Sequence, residues 1–133
     1  MHKNVITANI ILYCKEWDAT VRFYRDGLHL PVLFSADWFI EFGLTETSRL
    51  SIADEKHASV KSCKNAGITL TLQVQDINAA REFAEKMGLT PTEVKTHPWS
   101  ARLFHIFDPE GHRVEMWQST VSDQTPKPGI RPA

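Results

Sequence analysis

Apolar and polar positions along the chain follow one pattern, and follow it twice. Ile10, Leu12 and Cys14 alternate with Asn9, Ile11 and Tyr13, and sixty residues later Leu70, Leu72 and Val74 alternate with Thr69, Thr71 and Gln73. Alternation of period two marks a half-buried strand, so strands are predicted over 7–13 and 68–74. Each gives way to a helical period. Trp17, Val21 and Tyr24 predict a helix over 18–25; Ile77, Ala80, Phe83, Ala84 and Met87 predict one over 77–87. Gly27 and Gly88 stand where helix-ending glycines belong. At the same offset Ala19 falls on Ala79 and Phe23 on Phe83, and one inserted residue later Gly27-Leu28 falls on Gly88-Leu89. Self-similarity of this kind reads as a repeated structural unit. Short strands follow each helix, over 32–35, 38–42 and 49–53, then over 93–96, 102–107 and 113–117. The fold class is therefore α+β, with two βαβββ modules over 1–56 and 68–118. A polar linker joins them over 57–67, and a proline-bearing tail over 119–133 reads as an extended or disordered arm.

The sharpest local signal is Asp108-Pro109-Glu110-Gly111. Proline suits the second position of a type I turn, and the glycine suits a following residue with positive φ, which closes a hairpin through a bulge. A plain two-residue loop would pair Phe104 with Glu115. The bulged loop pairs His105 with Glu115 and Phe104 with Met116. Only the second segregates the chemistry, with Phe104, Ile106, Val114 and Met116 on one face and Leu103, His105, Arg113, Glu115 and Trp117 on the other. Register follows such segregation.

An offset of sixty-four residues carries the same logic into the first module, where Ser51 matches Glu115, Glu41 matches His105 and Phe39 matches Leu103. Each module then has an apolar face for its own helix and an opposite face of mixed polarity. Two such faces curling together in a curved mixed sheet around a cleft would enclose a small-molecule cavity. Its candidate binding residues are Tyr13, Phe39 and Trp117 for stacking, Glu41, Arg49 and Gln73 for polar contacts, and Trp99, in a loop, as a cover. His105 and Glu115, side by side about 5 Å apart at Cβ, are the candidate catalytic pair, able to act as acid and base. His29, His57 and His112 read as turn or surface residues, and Cys14 as a buried small hydrophobe.

Composition narrows the partners. The chain has 133 residues, 42% hydrophobic and 23% charged, with fifteen Lys+Arg against sixteen Asp+Glu and a formal charge of −1. A near-neutral chain has no electrostatic footprint for nucleic acid or an anionic membrane, and its apolar runs are too short to span a bilayer. Two cysteines make neither a disulfide framework nor a four-thiolate site. With no cleavage signal at the N-terminus, a cytoplasmic setting is expected. There is no Gly-x-Ser-x-Gly, phosphate-binding glycine loop or Cys-x-x-Cys.

The segments Asn9-Ile10-Ile11-Leu12, Phe23-Tyr24-Arg25-Asp26-Gly27-Leu28 and Phe107-Asp108-Pro109-Glu110-Gly111-His112-Arg113-Val114-Glu115 resemble the vicinal oxygen chelate superfamily. This group includes glyoxalase I, extradiol dioxygenases, fosfomycin-resistance enzymes and bleomycin-binding proteins. The resemblance covers residues 5–118 and implies the paired βαβββ fold and a homodimer. It places metal ligands at Asn9, Ser51, Thr69 and Glu115, of which only Glu115 is a strong ligand. Three functions follow as alternatives. One is a bleomycin-resistance-type protein that binds a small aromatic or cationic molecule without a metal. Another is a glyoxalase-type lyase or isomerase with a divalent metal held by Glu115 together with His105 or Glu41. The third is an association module with a vestigial cavity.

Overall fold

The computed structural model describes residues 4–63, 67–98 and 100–121. Its contacts divide the chain into two compact units. One takes the first module together with Asp108–Gly111, and the other takes the rest.

In the first unit, β1 (Ala8–Cys14) leads into α1 (Trp17–Arg22), which opens into a wider π-type turn over Phe23–Gly27; β2 (Val32–Ala36), β3 (Phe39–Thr45) and β4 (Ser48–Asp54) follow. The sheet order is β1-β4-β3-β2, with β1 parallel to β4 and the other pairs antiparallel. The helix expected over 18–25 is therefore shorter. Leu28 N donates to Phe23 O at 2.9 Å, a five-residue span that unwinds the last turn. Tyr24, fully buried, sits on that turn, and its hydroxyl donates to Asp108 Oδ2 at 2.7 Å.

The start of α1 has no side-chain cap of its own. Glu110 supplies one, its carboxylate accepting from Lys15 N at 3.0 Å, Glu16 N at 2.6 Å and Ser62 Oγ at 2.7 Å. Phe42, Leu50 and Ile52 are fully buried, yet Ile10 is 55% exposed. A six-residue helix is about 9 Å long and covers only part of a seven-residue strand.

The second unit repeats the order: β5 (Thr69–Gln73), α2 (Ile77–Lys86), β6 (Lys95–His97), β7 (Ala101–Phe107) and β8 (Arg113–Ser119), with sheet order β5-β8-β7-β6. Asp76 caps α2 by accepting from Ala79 N at 3.0 Å, and Gly88, at φ 73°, ends it. Phe104, Ile106 and Val114 are fully buried, as is Ile77 of α2. The bulged register holds, since Phe104 pairs with Met116 and His105 with Glu115.

The strand expected over 93–96 lies instead at Lys95–His97. Ahead of it, Thr92 does the pairing: its N donates to His105 O at 2.9 Å, and its Oγ1 accepts from His105 N at 2.8 Å. The α+β class and the two βαβββ modules are as expected, each module forming a four-stranded mixed sheet. Of the tail, β8 extends to Ser119, and residues 122–133 lie outside the described residues. No helix among the described residues is long and apolar enough to cross a membrane.

Candidate functional site

The face of each sheet turned away from its helix is read from its cross-strand rows, because paired residues share a face. In the second sheet one row is His105–Glu115–Thr71, the next Leu103–Trp117–Gln73, and on the other side Phe107–Arg113–Thr69. Glu115 is only 5% exposed. Its Oε1 accepts from the Thr71 hydroxyl at 3.1 Å, and its Oε2 lies 3.2 Å from His105 Nε2. A buried carboxylate needs such partners to hold its charge. Leu103 and Trp117 pack with Ala101 in a small buried apolar cluster beside this pair, while Gln73 is exposed.

The first sheet has the matching rows Glu41–Ser51–Ile11, Phe39–Ala53–Tyr13 and Gly43–Arg49–Asn9. Glu41 pairs with Arg49, Oε2 to Nε at 3.4 Å. Ser51, fully buried, donates from Oγ to Asn9 Oδ1 at 2.9 Å. A register shift between Val32 and Phe34 sets Phe34 opposite Glu41. Its ring centroid lies 6.3 Å from that of Phe39, which in turn lies 5.6 Å from Trp38. The aromatic wall of this face is therefore broader than Phe39 and Tyr13. The bulge that adds Phe34 leaves no mark in the alternation, which is why the sequence pattern omits it. Thr71, by contrast, is legible in the period-two pattern of its strand.

The four resemblance-derived ligand positions do not suit a divalent catalytic ion, which wants three donors from His, Cys, Asp or Glu. Asn9 and Ser51 are spent on each other. Thr69 Oγ1 accepts from the Arg113 guanidinium at 3.1 Å, a cation where a metal would need a donor. Among the described residues no three His, Cys, Asp or Glu side chains group to hold a metal.

Of the other candidates, Trp99 lies outside the described residues. His112, expected at the surface, is 3% exposed; it directly follows the hairpin tip, and β8 starts one residue later, so the chain is already turning into the core. Cys14 is fully buried, and burial, with Glu110 and Asp108 nearby, pushes its thiol up to about 12. That leaves it protonated and unreactive as a nucleophile. Burial and the neighbouring Asp108 likewise raise the Tyr24 hydroxyl well above its ordinary value, keeping it a donor.

Residues 6–116 match the family model described as Glyoxalase/Bleomycin resistance protein/Dioxygenase superfamily. The chain is 27% identical over 123 residues to the uncharacterised protein YraH of Bacillus subtilis (strain 168), covering 82% of this chain and 94% of that one. Its fold is similar to that of lactoylglutathione lyase from Agrobacterium tumefaciens, with TM-score 0.70, 18% identity, and 88% and 96% of the two chains covered. It is similar also to TnmS3, an antibiotic-binding protein from Streptomyces sp. CB03234, with TM-score 0.69, 15% identity, and 85% and 94% covered.

Proposed function

From the premise that the chain belongs to the Glyoxalase/Bleomycin resistance protein/Dioxygenase superfamily, we propose that it binds a small organic molecule against the polar and aromatic faces of its sheets, without a metal ion. The observation that carries this reading is the donor set. Asn9 and Ser51 satisfy each other, Thr69 faces a guanidinium, and the one strong acid, Glu115, is held by Thr71 and His105. Each of these side chains already has a hydrogen-bond partner, and only Glu115 among the four positions is of a type that binds a divalent catalytic ion strongly. The rings of Phe34, Trp38 and Phe39 add area for a flat ligand, and the likeness to an antibiotic-binding protein fits this use. The protein acts in the cytoplasm as a homodimer.

The test is elemental analysis of the purified protein together with a thermal-shift screen of small organic molecules. The expected result is no stoichiometric metal and at least one ligand that raises the melting temperature with concentration, as mass action requires. Stoichiometric nickel, zinc, manganese or iron, whose removal abolishes a glyoxalase or dioxygenase activity, overturns the reading.

One observation favours a second reading, catalysis by proton transfer. Glu115 beside His105 Nε2 at 3.2 Å is the arrangement by which a carboxylate orients an imidazole and stabilises its protonated form. Under this reading His105→Gln abolishes turnover of a ligand while leaving its binding in place.

A further inference from the structure

The internal repeat supplies a comparison within one chain. Arg49 of β4 and Arg113 of β8 stand sixty-four residues apart, each on the face turned away from its helix, yet their guanidinium groups are used differently. Arg49 Nη1 donates to the carbonyls of Thr45 at 3.2 Å, Glu46 at 3.1 Å and Ser48 at 3.5 Å, and its Nε lies 3.4 Å from Glu41. It is closed by its own hairpin turn and neutralised by its neighbour. Among the described residues the Arg113 side chain makes one hydrogen bond, from Nε to Thr69 Oγ1 at 3.1 Å, and no carboxylate is in ion-pair range of it.

The reason is local. The two carboxylates of the turn that precedes Arg113 are engaged elsewhere: Asp108 accepts from the Tyr24 hydroxyl and from Glu110 N, and Glu110 accepts from Lys15 N, Glu16 N and Ser62 Oγ.

Arg113 is half-buried, so its charge is only partly screened by water. With Nε tied down, the Nη hydrogens form a pre-set fork, the geometry that matches an oxyanion. In the same row Phe107 is 52% exposed, an apolar flank beside the charge. The nearest acid along β8, Glu115, one row away at about 7 Å, is balanced by His105 and Thr71.

We propose that Arg113, steadied by Thr69, is an oxyanion-binding residue, and that the ligand of this face is a small organic anion, a carboxylate or phosphate with an apolar body that lies on Phe107. The proposal rests on the small-molecule reading above and replaces the cationic ligand that the resemblance suggests with an anionic one.

The test is an NMR titration of the 15N-labelled chain with benzoate, phenyl phosphate and uncharged benzamide, following the Arg113 Nε–H signal and the β8 amides. At least one of the two anions shifts these signals to saturation, and benzamide does not; whichever anion binds more tightly identifies carboxylate or phosphate as the preferred group. Arg113→Gln weakens that anion about tenfold or more, the effect of one charge-assisted hydrogen bond, whereas Arg25→Gln, at an exposed arginine paired with Asp26 outside both sheets, changes it less than about twofold. Arg113→Lys keeps the charge, loses the fork, and also weakens binding, which covers the case in which the Gln variant fails to fold. Saturable binding by neither anion, or affinity unchanged in both Arg113 variants, overturns the proposal. If the small-molecule screen then finds neutral or cationic ligands, the binding reading stands and only this inference falls.

Discussion

Glu110 shows how much one side chain can carry when the backbone leaves donors unmet. Helix α1 begins without a cap of its own, and the first amides of any helix need acceptors. Burial alone would push the Glu110 carboxyl up. The Ser62 hydroxyl and the amides of Glu16 and Lys15 outweigh it, and the group ends below its ordinary range. A carboxyl lowered in the folded state contributes stability that is fully present above its ordinary value and is lost as pH falls through the lowered one. Glu110→Gln is therefore expected to cost about 1–3 kcal/mol at neutral pH, measured by urea unfolding. The gap between variant and wild type closes as pH drops through the carboxylate range. A gap independent of pH would show that shape, not charge, does the capping. At this scale the sequence showed the turn Asp108-Pro109-Glu110-Gly111 but not its task. Tyr24, Lys15, Glu16 and Ser62 are remote in the chain from the carboxylates they meet, and no local pattern links them.

At the scale of elements, period and capping chemistry were enough where an element satisfies itself. Helix α2 starts at Ile77 as its apolar stripe predicts, capped by Asp76 and ended by Gly88. Asp76→Ala is expected to cost about 1 kcal/mol, read from urea denaturation. Glu16→Ala, at the matching place before α1, costs much less, because the Glu16 side chain makes no cap bond. Elements whose ends depend on partners were less legible. The last turn of α1 widens to seat Tyr24, and β6 begins late because Thr92 pairs with His105 by a hydroxyl as well as its amide. The β7–β8 register was readable because a slip by one residue would have driven Phe104 and Ile106 to the polar side.

For the whole molecule, the repeat is clear in sequence and in the sheets, but the division of contacts does not follow the chain. The first unit includes Asp108–Gly111 from far downstream. A fragment of residues 1–63 therefore lacks the partners of Tyr24 and of the Lys15 and Glu16 amides that lead into α1, and at about sixty residues it sits where a domain is already marginal. It is expected to show no cooperative thermal transition by circular dichroism. A sharp melt close to that of the full chain would show that the tip contributes nothing to that unit. The rows of the site follow from the repeat. The state of each side chain does not, as Arg49 and Arg113 occupy equivalent positions and have unlike neighbours.

Residue types and their spacing determined the two βαβββ modules, the face on which each strand residue lies, and the pairing of His105 with Glu115. These are set by local periodicity and by the cost of turning apolar side chains to water. Which donors are spent, which charge is left open, and which loop closes which helix were decided only by tertiary structure. Hydrogen-bond partners are chosen by distance in space, and the chain brings together Glu110 and Glu16, or Thr71 and Glu115, from positions that no local pattern relates.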